Sequence, residues 1–232
     1  MQFGGAMAQR TLVAHQPTYV PYLGLLHKAA RADVFVIQDD LRYVKDEVSN
    51  RNRIREGDGW KWLTIPVHKT DSSTFATVTP AEPAWPETHR RLLTHAYGRA
   101  PYFSRFEALY ERNASNRAAA LSVVNVGTLE WMLSLFRIRA ELIVESSLTL
   151  PPFNDPNDRL ITLAHKHECD RYISGVGGHA YIEPEFWSQA NVELEWSDFQ
   201  PVPYDRGGLP WIPNLSALDA IAWVEDLPAL LS

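Results

Sequence analysis

Thr11-Leu12-Val13-Ala14-His15-Gln16-Pro17-Thr18-Tyr19-Val20-Pro21-Tyr22-Leu23-Gly24 is followed closely by Ala32-Asp33-Val34-Phe35-Val36-Ile37-Gln38-Asp39-Asp40. A short apolar run ends on a histidine, and a turn bounded by prolines comes next. Tyr22, Leu25, Leu26 and Ala29 then recur at helical spacing and lead into a second apolar run that stops at two carboxylates. The order is strand, loop, helix, strand. In a right-handed crossover between parallel strands, His15 and Asp39-Asp40 fall at the carboxyl ends of neighbouring strands, where open α/β sheets place their ligands. An α/β protein is expected, with a mostly parallel sheet flanked by helices.

Working outward, residues 44–59 are polar, dense in charge and end in Gly57-Asp58-Gly59, which reads as a loop over the strand ends. Residues 60–67 return to extended structure, and 74–79 read as a weak second strand, the two forming a hairpin-like addition beside the sheet. Helices are expected over 86–97, 102–112 and 118–136, together a helical insert or subdomain (86–136). A strand at 141–145, a helix at 157–167 and strands at 171–174 and 192–196 make a second α/β half. Ser216-Ala217-Leu218-Asp219 resembles a capping box that opens a last helix. Residues 1–10 read as a disordered leader, and 11–232 as a single domain.

Composition narrows the classes. With 45% hydrophobic and 22% charged residues the chain has a soluble globular make-up, and a net charge of -6 argues against a dedicated nucleic-acid partner. The single cysteine, Cys169, permits no intramolecular disulfide, which suits a reducing cytoplasm. No signal peptide or membrane span is expected. Cys169, between a helix and a strand, reads as a small packed residue and not a nucleophile.

Four groups could carry chemistry. His15, directly after a buried strand, fits a general base, the alternative being a ring that merely ties loop backbone together. Gln16 and Tyr19, in the same loop, are counted with it as substrate contacts. Asp39 and Asp40 are adjacent on extended chain, so one would face the cleft and orient His15 or an ammonium group, and the other would cap a loop. Asn50, Arg51 and Asn52, with Lys28 and Lys45, form a cationic, amide-rich cluster suited to phosphate or carboxylate oxygens, or else a solvated basic face. Ser174, Gly175, Gly177 and Gly178 follow a strand, and their backbone N–H groups could approach an anion; a plain turn is the alternative. Tyr204 is expected to line the cleft. No metal set is read from the sequence.

The His-Gln-Pro opening, Lys28, Ala32-Asp33, Phe35-Val36, Asp39-Asp40, Lys45 and Asn50-Arg51-Asn52 resemble the amino-terminal signature of the WbqC-like proteins. Further matches occur at residues 62–67, Ala100-Pro101, Tyr172-Ile173-Ser174-Gly175, Gly177-Gly178, Pro203-Tyr204 and Leu215-Ser216. The resemblance implies a bacterial setting in O-antigen and surface-sugar gene clusters, and transfer of glycine or a similar small acyl group. The expected enzyme is an acyl or aminoacyl transferase that needs no resident cofactor. It would take a phosphopantetheine-linked or nucleotide-linked donor and an amine or amino-sugar acceptor, with an acyl or peptidyl carrier protein as partner. The alternatives are a nucleotidylyltransferase-like enzyme, in which Leu25 stands where a second histidine is expected, and a non-catalytic ligand-binding module.

Overall fold

The computed structural model describes residues 9–45 and 47–232. Most of the expected leader lies outside the described residues. The chain opens with β1 (Thr11–His15), α1 (Leu23–Ala30) and β2 (Val34–Ile37), the strand, helix and strand read from the sequence. Two small antiparallel pairs come next: β3 (Arg51–Glu56) with β4 (Gly59–Thr64), and β5 (Val67–His68) with β6 (Thr79–Pro80). Helices α2 (Trp85–Tyr97), α3 (Glu107–Ser115) and α4 (Leu121–Leu135) follow. The second half runs β7 (Glu141–Val144), α5 (Pro156–Lys166), β8 (Arg171–Ser174), α6 (Pro184–Gln189), β9 (Glu193–Trp196) and α7 (Leu218–Trp223).

The main sheet has the order β7-β2-β1-β8-β9 and every pair in it is parallel. Alternation along its strands builds a core on each face. Val13, Phe35, Ile37 and Ile173 point to one side, where they meet Leu25, Leu26 and Ala29 of α1, residues of α2 to α4, and Leu218 and Ile221 of α7. Leu12, Ala14, Val34, Val36 and Tyr172 point to the other, against Leu160, Leu163 and Ala164 of α5 and Trp187 of α6. A sheet buried on both faces explains why its strands read as nearly continuous apolar runs. The helices of residues 86–136 share the first of these cores with the sheet.

Three expectations change. Residues 51–56 are a strand where the sequence suggested a loop: Asn52, Ile54 and Arg55 are buried, so the charge that suggested solvent is partly internal. Residues 59–64 pair with this strand, from Arg51↔Thr64 to Glu56↔Gly59, and of the hairpin expected between 60–67 and 74–79 only the end is made, as Val67↔Pro80 and His68↔Thr79. The capping box is half made. Ser216 Oγ accepts from Leu218 N at 3.2 Å, but the Asp219 carboxylate turns away to Arg55 and Tyr204.

Candidate functional site

Counted by their own order in the chain, the five strands lie 3-2-1-4-5, so the direction of winding reverses between β1 and β8. Open α/β sheets bind ligands in the crevice beyond the carboxyl ends of the strands that flank such a reversal. His15 is the last residue of β1, and Ser174 is the last of β8. The histidine and the glycine turn therefore stand at the same end of adjacent strands, on either side of the reversal.

The imidazole is held by its own loop. Nδ1 lies 2.8 Å from the Gln16 carbonyl, which can only accept, so Nδ1 carries the proton and Nε2 holds the lone pair. Thr18 Oγ1 donates to the same carbonyl at 3.2 Å. Burial, and after it the charge of Lys28, hold the His15 pKa down at about 3, against a partial rise from the bond to Gln16. The ring is neutral across the physiological range.

Beyond Thr18 the loop passes through Val20 with φ 38, a costly conformation for a β-branched residue. It persists because the carbonyls here are gripped. Asn52 Nδ2 donates to Tyr19 O at 3.1 Å and to Val20 O at 3.0 Å, and Ser216 Oγ donates to Val20 O. Tyr19 N donates to Val48 O and Ala217 N to Pro21 O. The chain end thus clamps the loop that carries His15.

Lys28, on the face of α1 turned to the sheet, is 4% exposed. A Cβ added at Gly175 would lie 3.1 Å from its Nζ, so the ammonium reaches the start of the glycine turn, and its charge acts on His15. Burial lowers its pKa to about 8. Ser174 is buried and its Oγ donates to Gly175 O. Gly178 is required by packing, since a Cβ there would sit 2.1 Å from Ser174 Oγ, whereas Gly177 is exposed with open space beside it.

The remaining predicted residues have partners of their own or are exposed. Asp39 is 1% exposed and accepts from Ser146 N at 2.9 Å and Ser146 Oγ at 2.8 Å, so it caps the turn after β7; Asp40 is exposed. Asn50 donates to Ile65 O, and Asn52 holds the loop. Arg51 lies 4.3 Å over the Trp62 ring on the outer face of the hairpin, and Lys45 is exposed. Tyr19 is buried against His89 Nδ1 at 2.8 Å. Tyr204 donates to Asp219 and lines a separate cleft of about 50 Å³ with Tyr22, Phe199 and Trp211. Sequence reasoning missed that cleft and the part played by Thr18; the Tyr-Trp-Pro richness of residues 199–213 was the available signal. Burial pushes the Cys169 thiol up to about 11, so it is not a ready nucleophile. Among the described residues no group of His, Cys, Asp and Glu is placed to hold a metal, and no helix is long and apolar enough to cross a membrane.

A family model described as the WbqC-like protein family matches residues 16–227. The chain is 26% identical over 191 residues to the uncharacterised protein Rv1507c of Mycobacterium tuberculosis, a match covering 79% of this chain and 80% of that one. No solved structure matches at a significant level.

Proposed function

The chain belongs to the WbqC-like protein family, and from that premise we propose that it is an acyl or aminoacyl transferase. It moves a small group, such as glycyl, from an activated donor to an amine acceptor such as an amino sugar. The donor is nucleotide-linked or carried on phosphopantetheine, by a carrier protein in the second case. The setting is cytoplasmic synthesis of surface sugars.

One observation carries this reading: a neutral imidazole at the end of the central strand, its Nδ1 proton committed to Gln16 and its Nε2 lone pair uncommitted. As the acceptor nitrogen attacks the donor's acyl carbon, the new C–N bond forms and Nε2 takes the amine proton. The bond to the thiolate or phosphate leaving group then breaks, and the leaving group or solvent recovers the proton. Backbone N–H groups of the Ser174-to-Gly178 turn are the candidate donors for the developing oxyanion.

The test incubates the full chain with glycyl and acetyl donors (coenzyme A thioester, carrier-protein thioester, adenylate) and an amino-sugar acceptor, and follows the acceptor by mass. A gain of one acyl group is expected, with His15→Ala slowing it about 10²- to 10⁴-fold. Donor binding with no product from any pairing, or full turnover by His15→Ala, removes the reading.

Nucleotidyl transfer is the second reading, favoured by the 3-2-1-4-5 strand order with His15 ending the first strand and Gly24 opening the helix after it. It predicts Mg²⁺-dependent binding of a nucleoside triphosphate and release of pyrophosphate in place of acyl transfer.

A further inference from the structure

We propose that the crevice between the ends of β1 and β8 binds an oxyanion, a phosphate or a carboxylate, and that the Lys28 ammonium is its counter-charge. The inference shares its location with the transferase reading and names the charged end of the ligand that the crevice grips.

Lysine is almost never buried to this degree without a partner, because stripping water from an ammonium costs several kcal/mol. Lys28 is 4% exposed, and it is the one lysine among the buried described residues. Neither a carboxylate nor a hydrogen-bond acceptor answers it among those residues, and burial alone accounts for its lowered pKa. The shortage is not one of acids, since the chain holds 28 Asp and Glu against 22 Lys and Arg. Arg55, equally buried, is met by Asp219 at 3.2 Å; Arg206, whose Nε and Nη1 have no hydrogen-bond partner among the described residues, at least lies over the ring faces of Tyr204 and Trp211. Asp39, the buried acid just past the end of β2, is spent on Ser146.

What surrounds Lys28 suits an incoming anion. Gly175 offers no side chain at the spot where Nζ passes, and His15, being neutral, brings no competing charge. The position is the strand-end crevice in which α/β sheets receive ligands. An ammonium acts as a point charge and accepts carboxylate or phosphate alike, so the chemistry is fixed more tightly than its source. There is also a functional coupling. An anion beside Lys28 offsets the positive charge that helps to depress His15, so loading the crevice makes Nε2 a better proton acceptor.

The experiment titrates the full chain at low ionic strength with inorganic phosphate, pyrophosphate and acetate separately, by calorimetry and by thermal shift. At least one anion binds the wild type and raises its melting temperature. Preference for the phosphates points to a donor phosphate, and preference for acetate to a substrate carboxylate. Lys28→Met weakens binding about 10- to 100-fold, while Lys69→Met, at an exposed lysine, leaves it unchanged. Ligand-free Lys28→Met melts no lower than wild type, since an unanswered buried charge has been removed. Absence of binding by all three anions, equal binding by Lys28→Met, or equal loss in Lys69→Met overturns the inference. If Lys28→Met does not fold, amine acylation of the wild type, read at the Lys28 peptide, decides: protection by saturating anion supports it and unchanged labelling overturns it. Anion binding without transfer to any acceptor leaves this inference standing and removes the transferase, whereas transfer from an uncharged donor with no anion binding does the reverse.

Discussion

Asn52 sits between two arginines, and its amide is nonetheless spent on backbone: Nδ2 donates to Tyr19 O and Val20 O, and Oδ1 accepts from Arg53 N at 2.9 Å. It therefore acts on His15 through the loop and not on a ligand. Asn52→Ala should lower unfolding free energy by about 1–3 kcal/mol, because Tyr19 O loses its side-chain donor and Val20 O keeps only Ser216 Oγ while Val20 stays at its strained φ. An unchanged urea midpoint would contradict that assignment. Gly178 makes a second test. Alanine there would press its methyl into Ser174 Oγ, with Ile182 and Trp196 close behind at 3.0 and 3.1 Å. A loss of about 1–3 kcal/mol is expected, and the same substitution at Gly177, where nothing lies within 4 Å, should be near neutral.

At the level of elements, the β3–β4 hairpin is fastened to the end of the chain. Arg55 is 2% exposed and meets Asp219 of α7, Gly57 O and Pro210 O, while Ser216 N donates to Arg53 O. Removing one charge of a buried pair costs about 3–5 kcal/mol, and an apolar pair of similar volume restores much of it. Asp219→Ala should thus be severely destabilised in thermal melts, and Arg55→Met with Asp219→Leu should recover part of the loss. The same hairpin explains what the sequence could and could not disclose. β1, α1, β2 and β8 were legible because their apolar runs and helical spacing are local signals that burial on both faces of a sheet dictates. β3 was not, because two of its three buried positions are Asn52 and Arg55, whose partners lie in the Tyr19–Val20 loop and on α7, far along the chain. At the site, His15 and the glycine turn were legible as residues beside strand ends. The cluster of Asn50, Arg51 and Asn52 was read as one cationic surface, but strand alternation sends Arg51 to the outer face and Asn52 to the inner one. The isolation of Lys28 could not be read, since lacking a partner is a property of three-dimensional surroundings.

Over the whole molecule, acid should be the weak side of the stability profile. Burial lowers the His89 pKa from 6.5 to about 4, and its ring is fixed neutral, with Nε2 donating to Thr64 O and Nδ1 accepting from Tyr19. His15 is lowered further. Below pH 6.5 the unfolded chain binds protons that the folded one refuses, so stability is full above that value and is lost as pH falls toward 4. At about 1.4 kcal/mol per unit, His89 accounts for on the order of 3 kcal/mol. Urea titrations across pH 7 to 4 should show this slope, and His89→Gln should flatten it; parallel slopes would refute the cause. Lys28 works at the other end, where stability rises as pH climbs from about 8 to 10.5 and the folded form sheds its proton first. The seam between β1 and β8 also bears on biogenesis. Leu12 takes one neighbour from Val34 of β2 and the other from Tyr172 of β8. A nascent polypeptide leaving the ribosome carries its central strand with one flank bare until most of its length has been translated. Such a chain depends on a holding chaperone, or on late synthesis outrunning self-association, before it can close.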